Sequence, residues 1–273
     1  MSTIVGAIAT VHAPLIFAMP HLASEEKRAA VAKGFSELAS IVKGLAPDVV
    51  VCATSEHVTN FLSTNAAPFC VGIGDPNPTQ PEFGLPDLDV PGHPEFARGL
   101  VEWVYRAGFD VAHSAKLFLD HGTNLPLHLI TPAYDVPVVP LMINTIWAPM
   151  PSAARCFDLG AAIANYVAND GKDLRVLLMG TGGISHWVGN EHHGQLNQEF
   201  DEWFLAQISQ GNSEALRGLD QAAIDVAGDG GNEIRNWITV MGAAEAAALK
   251  PKVVLDETFI PGWNVSVYQL AWV

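Results

Sequence analysis

Charge is scarce in this sequence. Only 16% of its 273 residues are Asp, Glu, Lys or Arg, and 14 basic side chains face 29 acidic ones. The resulting formal charge of −15 lacks the basic face that nucleic-acid binding requires. A charge content well below the roughly 25% of ordinary soluble domains points to a homo-oligomer that buries part of its exterior. Cysteine is rarer still. Cys52, Cys70 and Cys156 are odd in number and far apart, which argues against a disulfide framework or a zinc knuckle. Cys52 sits inside VVVCA and is expected to be a buried free thiol. No apolar run approaches the ~18 residues of a membrane span. Residues 1–11 (MSTIVGAIATV) lack a basic leader and run soon into SEEKR, unlike a signal peptide. A reduced, cytoplasmic protein is expected, with neither nucleic acid nor membrane as partner.

What the chain does contain is alternation. IVGAIATV (4–11), DVVVCAT (48–54), VPVVPLMIN (136–144) and LRVLLMG (174–180) read as strands, and the tail after 250 ends as strands. Helical spacing covers 24–45, where Val31, Phe35, Leu38, Val42 and Leu45 share a stripe and Ser24 can cap. Further helices are expected from Pro94 to about Arg106 and over 152–169, 195–209 and 230–249. Residues 75–94, dense in Pro, Gly and Asp, read as a long surface loop. With no composition break or repeat, the expectation is one α/β domain over 1–273. Its mixed central β-sheet should carry helices on both faces.

Ligands gather beyond the C-terminal ends of such strands, and histidines stand there. His12 follows the first strand and His57 the second, in SEHVTNF. His121 follows the apolar, strand-like AKLFLD, and His186 closes LRVLLMGTGGISH. Taken singly, each reads as a polar strand-end residue satisfied by backbone. Four on one rim suggest a shared site. Imidazoles suit Zn, Fe, Cu and Ni, and two histidines with one carboxylate are the donor set of non-haem Fe(II) oxygenases. The candidate carboxylates are Glu56, Asp120, Glu233 and Asp256. Glu233 stands out because it opens the apolar helix NEIRNWITVMG after a Gly-rich turn, where a dipole-stabilised first-turn acid is its plainer reading.

Together, ATVHAP, SEHVTNF with FCVGIGD, LDHGTNLPL, MGTGGISH and GGNEIRNW resemble the class III extradiol ring-cleaving dioxygenases. This is the superfamily of the protocatechuate 4,5-dioxygenase β subunit. The blocks run in the family's order from residue 5 to about 242. The resemblance implies that His12, His57 and Glu233 bind Fe(II), with O2 as co-substrate and no organic cofactor. It implies His186 as catalytic acid/base, His121 as a catalytic lining of the oxygen and substrate pocket, and Asn60 as a substrate-side hydrogen-bonding residue. It further implies a small aromatic substrate, a dimer or larger homo-oligomer and, in some relatives, a separate small helical subunit. Met241 departs from the Arg of protocatechuate- and gallate-cleaving members and points away from protocatechuate itself.

Three other functions compete for these residues. A phosphate loop at GTGGISH fails because Ser185 stands where the dinucleotide pattern needs glycine, and no GK[ST] follows. A redox-silent zinc hydrolase and a non-catalytic binding protein on the same fold remain as alternatives. The Glu191-His192-His193 cluster reads as solvated, since adjacent side chains point apart. Arg235, two positions past Glu233, should face another side of its helix, as a surface or interface ion pair or a contact to a substrate anion. Trp203, Phe204 and Trp237 read as core or interface aromatics.

Overall fold

The computed structural model describes residues 1–273. Eight strands form one sheet: β1 (Thr3–Thr10), β2 (Val49–Ser55), β3 (Phe69–Gly72), β4 (Ala112–Ser114), β5 (Val138–Ile143), β6 (Arg175–Thr181), β7 (Pro251–Ile260) and β8 (Val265–Trp272). Their spatial order is β4-β3-β5-β2-β6-β1-β8-β7. The four inner strands β5, β2, β6 and β1 are mutually parallel. Antiparallel pairs join β3 to β5, β8 to β1 and β7 to β8, which makes the sheet mixed.

The inner strands are apolar throughout because both their faces are covered. Period-2 alternation sorts their side chains. Ala7, Ala9, Val49, Val51, Ala53, Val176 and Leu178 enter one core with helices α2 (Pro94–Arg106), α4 (Ala153–Asn169), α5 (Gln198–Ser209) and α6 (Ile234–Ala246). Ile8, Val50, Cys52, Leu177 and Met179 enter the other, beneath α1 (Glu25–Leu45) and α3 (His121–Ile130). The α1 stripe is as expected: Val31, Phe35, Leu38 and Val42 are buried, and Ser24 accepts from the Lys27 amide at 3.3 Å. Cys52, Cys70 and Cys156 are free and buried.

The parallel direction of β1, β2 and β6 brings His12, His57 and His186 to one edge of the sheet. No helix is long and apolar enough to cross a membrane.

Some boundaries differ from the sequence reading. The apolar segment before His121 is not a sheet strand. It contributes one bridge, Thr79 with Leu119, and His121 is the first residue of α3. Pro126 and Gly122 disguise that helix. Asp120 caps it by accepting from the Gly122 amide at 2.9 Å. The 75–94 loop is stiffened by a two-residue ribbon pairing Asn77–Pro78 with Asp89–Val90. The helix expected over 195–209 starts at Gln198. Short helices at Ser213–Arg217 and Gln221–Asp225 follow it, too brief to show a periodic signal.

Candidate metal centre

Three chain segments converge beyond the sheet edge. His12, two residues past β1, places Nε2 3.1 Å from Glu233 Oε1. His57, two residues past β2, places Nε2 3.2 Å from the same oxygen. Glu233 ends a 3-10 turn (Gly230–Glu233) and leads into α6, and its other oxygen accepts from the Gly183 amide at 2.7 Å. It stands at the N-cap of α6 but makes no capping bond to it. His12 and Glu233 are buried at 4% and 5% exposure, which leaves Glu233 only this shared site to serve.

Each imidazole is held from behind. A carboxylate has only lone pairs to offer, so His57 Nδ1 donates to Asp120 Oδ2 at 3.1 Å, which turns Nε2 toward Glu233. Asp120 also accepts from the His57 amide at 2.8 Å, fixing backbone and ring together. His12 Nδ1 lies 3.3 Å from Thr181 Oγ1, and Thr181 donates onward to Thr54 at 2.8 Å.

Burial disfavours every charge here, and the partners decide the outcome. For Glu233, burial opposes ionisation, but His12, His57 and His186 together hold its carboxyl well below the usual range. For Asp120, burial is likewise outweighed, by His57, and its carboxyl stays low. Burial works against charge on His57 too, yet Asp120 and Glu233 carry it well above the ordinary imidazole value. At His12 burial wins over the pull of Glu233, and the ring is pushed down toward its neutral form.

The donor chemistry fits a divalent transition metal: two imidazoles and one carboxylate, the first two within 3.1 and 3.2 Å of the third. His121 offers a further nitrogen. Ring nitrogens of His12, His57 and His121 lie within 4.8 Å of one another, and the His121 ring is tilted 33° over that of His57 at 4.1 Å between centroids. Glu82 Oε2 sits 2.9 Å from His121 Nδ1.

His186 flanks the same group, with Nε2 3.7 Å from Glu233 Oε2. Its backbone is stapled, donating to Ala227 O at 2.9 Å and accepting from the Gly230 amide at 3.1 Å. The glycines of the GTGGISH block serve this placement. Gly182 takes φ +140°, open only to glycine, as the chain leaves β6, and a Cβ on Gly230 would stand 2.2 Å from the His186 ring. Burial presses the His186 ring below the ordinary imidazole range despite the pull of Glu233.

The other candidates lie elsewhere or act otherwise. Asn60 spends its amide on the Phe118 backbone, donating to the carbonyl at 3.0 Å and accepting from the amide at 2.8 Å. It fastens the His57 loop to the segment before His121. Glu56 accepts from the Val58 and Asn60 amides and shapes that same loop. Asp256 lies on the outermost strand β7. Arg235 is neither a surface ion pair nor a substrate contact. It is 1% exposed and donates to Pro151 O, Asn232 Oδ1 and Gln221 Oε1 at 2.7, 2.8 and 2.7 Å. His192 and His193 are exposed, as expected. Phe204 and Trp237 are core, and Trp203 is 37% exposed. Sequence reasoning missed Glu82, whose only trace is one acid in a loop that reads as solvated.

Fold and site define an α/β protein whose sheet edge carries a two-histidine, one-carboxylate centre with two further histidines around it. A family model described as "Catalytic LigB subunit of aromatic ring-opening dioxygenase" matches residues 6–268, and the chain belongs to that family. Among its relatives, a "2,3-dihydroxyphenylpropionate/2,3-dihydroxicinnamic acid 1,2-dioxygenase" of Photorhabdus laumondii subsp. laumondii is 33% identical over 201 residues, 73% of this chain. That match spans 61% of the relative's own length. Proteins of the same description from Paraburkholderia xenovorans and Mycobacterium ulcerans are each 30% identical, covering 73% and 82% of this chain and 76% and 83% of theirs. An uncharacterized protein from Escherichia coli K12 shares the fold. Its crystal structure gives a TM-score of 0.65 at 19% identity, over 97% of this chain and 98% of that one.

Proposed function

We propose that this chain is a non-haem Fe(II)-dependent extradiol dioxygenase. It would insert both atoms of O2 into the ring of a catechol-like aromatic of the catechol, aminophenol or hydroxypyridone type. The observation that carries this reading is the meeting of His12 Nε2 and His57 Nε2 on one oxygen of Glu233. The relatives named as 2,3-dihydroxyphenylpropionate/2,3-dihydroxicinnamic acid 1,2-dioxygenases support it.

His12, His57 and Glu233 would hold the ion. Bound there, Fe(II) would supply a redox-active Lewis acid toward a diol and O2. The remaining chemistry is proton management by this chain. His186 is buried and biased toward its neutral form, so its ring can accept the proton that a substrate hydroxyl gives up on binding. The same ring can return that proton to an oxygen of the opening ring. His121, tilted against the ring of His57, would line the neighbouring wall. Asp120 and Thr181 keep the His57 and His12 rings oriented and undergo no chemistry themselves. The close trio of His12, His57 and His121 nitrogens also suits zinc, which favours the hydrolase alternative if zinc is what the chain carries.

The test is anaerobic Fe(II) loading, metal analysis and an oxygen-uptake screen over catechols, aminophenols and hydroxypyridones. One O2 per ring opened is expected. His186→Ala should keep iron and substrate binding while kcat falls by about 10² to 10⁴. Full iron occupancy with no uptake on any substrate overturns the reading, and wild-type kcat in the His186 variant overturns the acid/base role.

A further inference from the structure

The 75–94 loop does more than cover the surface. Its tip reaches back to the centre. The loop is pinned on both sides: the Gln80 amide donates to Leu119 O at 2.8 Å, and Asn124 Nδ2 donates to Pro86 O at 3.1 Å. Between those pins, Glu82 directs its carboxylate to His121 Nδ1 at 2.9 Å. Phe83 presents its ring edge to the same imidazole at 5.1 Å between centroids. Phe83 itself holds φ +55°, a left-handed backbone that costs a bulky residue energy and persists only where its surroundings demand it. The tip is thus bent so that both residues meet one histidine.

The chemistry of the contact decides what it does. An ionised carboxylate accepts and cannot donate, so the proton of a neutral His121 ring must sit on Nδ1. Its Nε2 then carries the lone pair. Asp120 likewise accepts from Nδ1 of His57, whose ring lies tilted by 33° against that of His121. Asp120, however, is wholly buried at a helix cap, whereas the Glu82 side chain is 24% exposed at a loop tip.

We propose that Glu82 is a positioning residue that locks His121 in its Nδ1–H tautomer, leaving Nε2 as the hydrogen-bond acceptor available to substrate. This rests on the dioxygenase reading for its catalytic consequence, but not for the tautomer itself. Without Glu82, the ring is free to exchange tautomers or turn over, and the fraction of chains poised for catalysis drops. Binding of iron, whose proposed ligands do not include His121, is unaffected.

The test has two arms on the full-length chain. In the first, imidazole ¹⁵N shifts are recorded before iron loading, with His121 assigned by its absence in His121→Gln. Wild type should show an Nδ1–H pattern at His121, Glu82→Ala a shift toward Nε2–H, and Glu82→Gln the wild-type pattern, because its amide oxygen still accepts. In the second arm, with iron loaded, Glu82→Ala should lose kcat on the order of 10-fold at unchanged iron content. KM should stay within about 2-fold, and Glu82→Gln should recover most of the rate. A Glu82→Ala chain with the wild-type tautomer and kcat overturns the proposal, as does a Glu82→Gln chain that fails like the alanine variant in both arms. If wild type consumes no O2 with any catechol, the dioxygenase reading falls while the ¹⁵N arm still decides the role of Glu82.

Discussion

Asp201 on α5 is fully buried, yet only one of its carboxylate oxygens is well served. Oδ1 accepts from the Ser185 amide at 2.8 Å, next door to His186, while Oδ2 accepts no hydrogen bond. Burial pushes this carboxyl up to about 6, and the bond from the Ser185 amide offsets only part of that cost. Glu233 shows the opposite balance, since three histidines more than repay its burial. The sign for Asp201 follows directly. Its folded pKa lies above its unfolded value near 3.9, so the native state binds the extra proton between about pH 4 and 6. Stability falls as pH rises through that window, and above it the charged form costs about 3 kcal/mol. Asp201→Asn should therefore unfold at a higher temperature than wild type at pH 8 and show little advantage at pH 4. Thermal melts across that range check it, and an Asn variant less stable than wild type at pH 8 would contradict it.

At the scale of elements, the 3-10 turn Gly230–Glu233 performs two tasks within four residues. Its last residue feeds Glu233 to the centre, and its first leaves room for the His186 ring. A methyl group at position 230 would lie 2.2 Å from the ring carbon and nitrogen of His186. Gly230→Ala should displace that ring by around an ångström and lower kcat on the order of 100-fold. Iron content should hold, since the three atoms nearest the added carbon all belong to His186 and not to the proposed ligands. Steady-state kinetics with metal analysis would show it, and an unchanged kcat would refute the packing argument. The principal elements were legible in the sequence because their signals are local. The β1, β2, β5 and β6 runs are continuously apolar, the α1 stripe keeps a 3.6-residue period, and Ser24 and Pro94 mark helix starts. Helix α3 was hidden because Pro126 and Gly122 are breakers by propensity. Packing of Leu125, Leu127 and Ile130 on the core overrides that preference.

For the whole molecule, the centre is assembled from residues far apart in the chain. His12 and Glu233 are 221 positions apart, and His57 and Glu233 are 176 apart. No unfolded chain holds these three donors together, so an ion bound at the site stabilises the native state alone. At an ion concentration 100-fold above Kd the gain is about 2.7 kcal/mol. For a chain of this size that is roughly 5–10 °C in Tm. Chelation should lower the melting temperature by that much and re-addition of Fe(II) should restore it. A Tm indifferent to chelation would count against these three residues as ligands.

The sequence by itself determined the class of fold and the family, and it placed the candidate histidines just beyond their strands. Strand, turn and histidine are neighbours in the chain, so ATVHAP, SEHVTNF and MGTGGISH each carry their own placement. Tertiary structure alone decided which partner each of those side chains receives. It set Asp120 behind His57 and Glu82 behind His121, spent Asn60 on the Phe118 backbone, and buried Arg235 on carbonyl and amide oxygens. The physical reason is range. Periodicity and turn chemistry act over a few residues, whereas a hydrogen bond spanning 39 or 63 positions exists only after the sheet and its helices have closed around it.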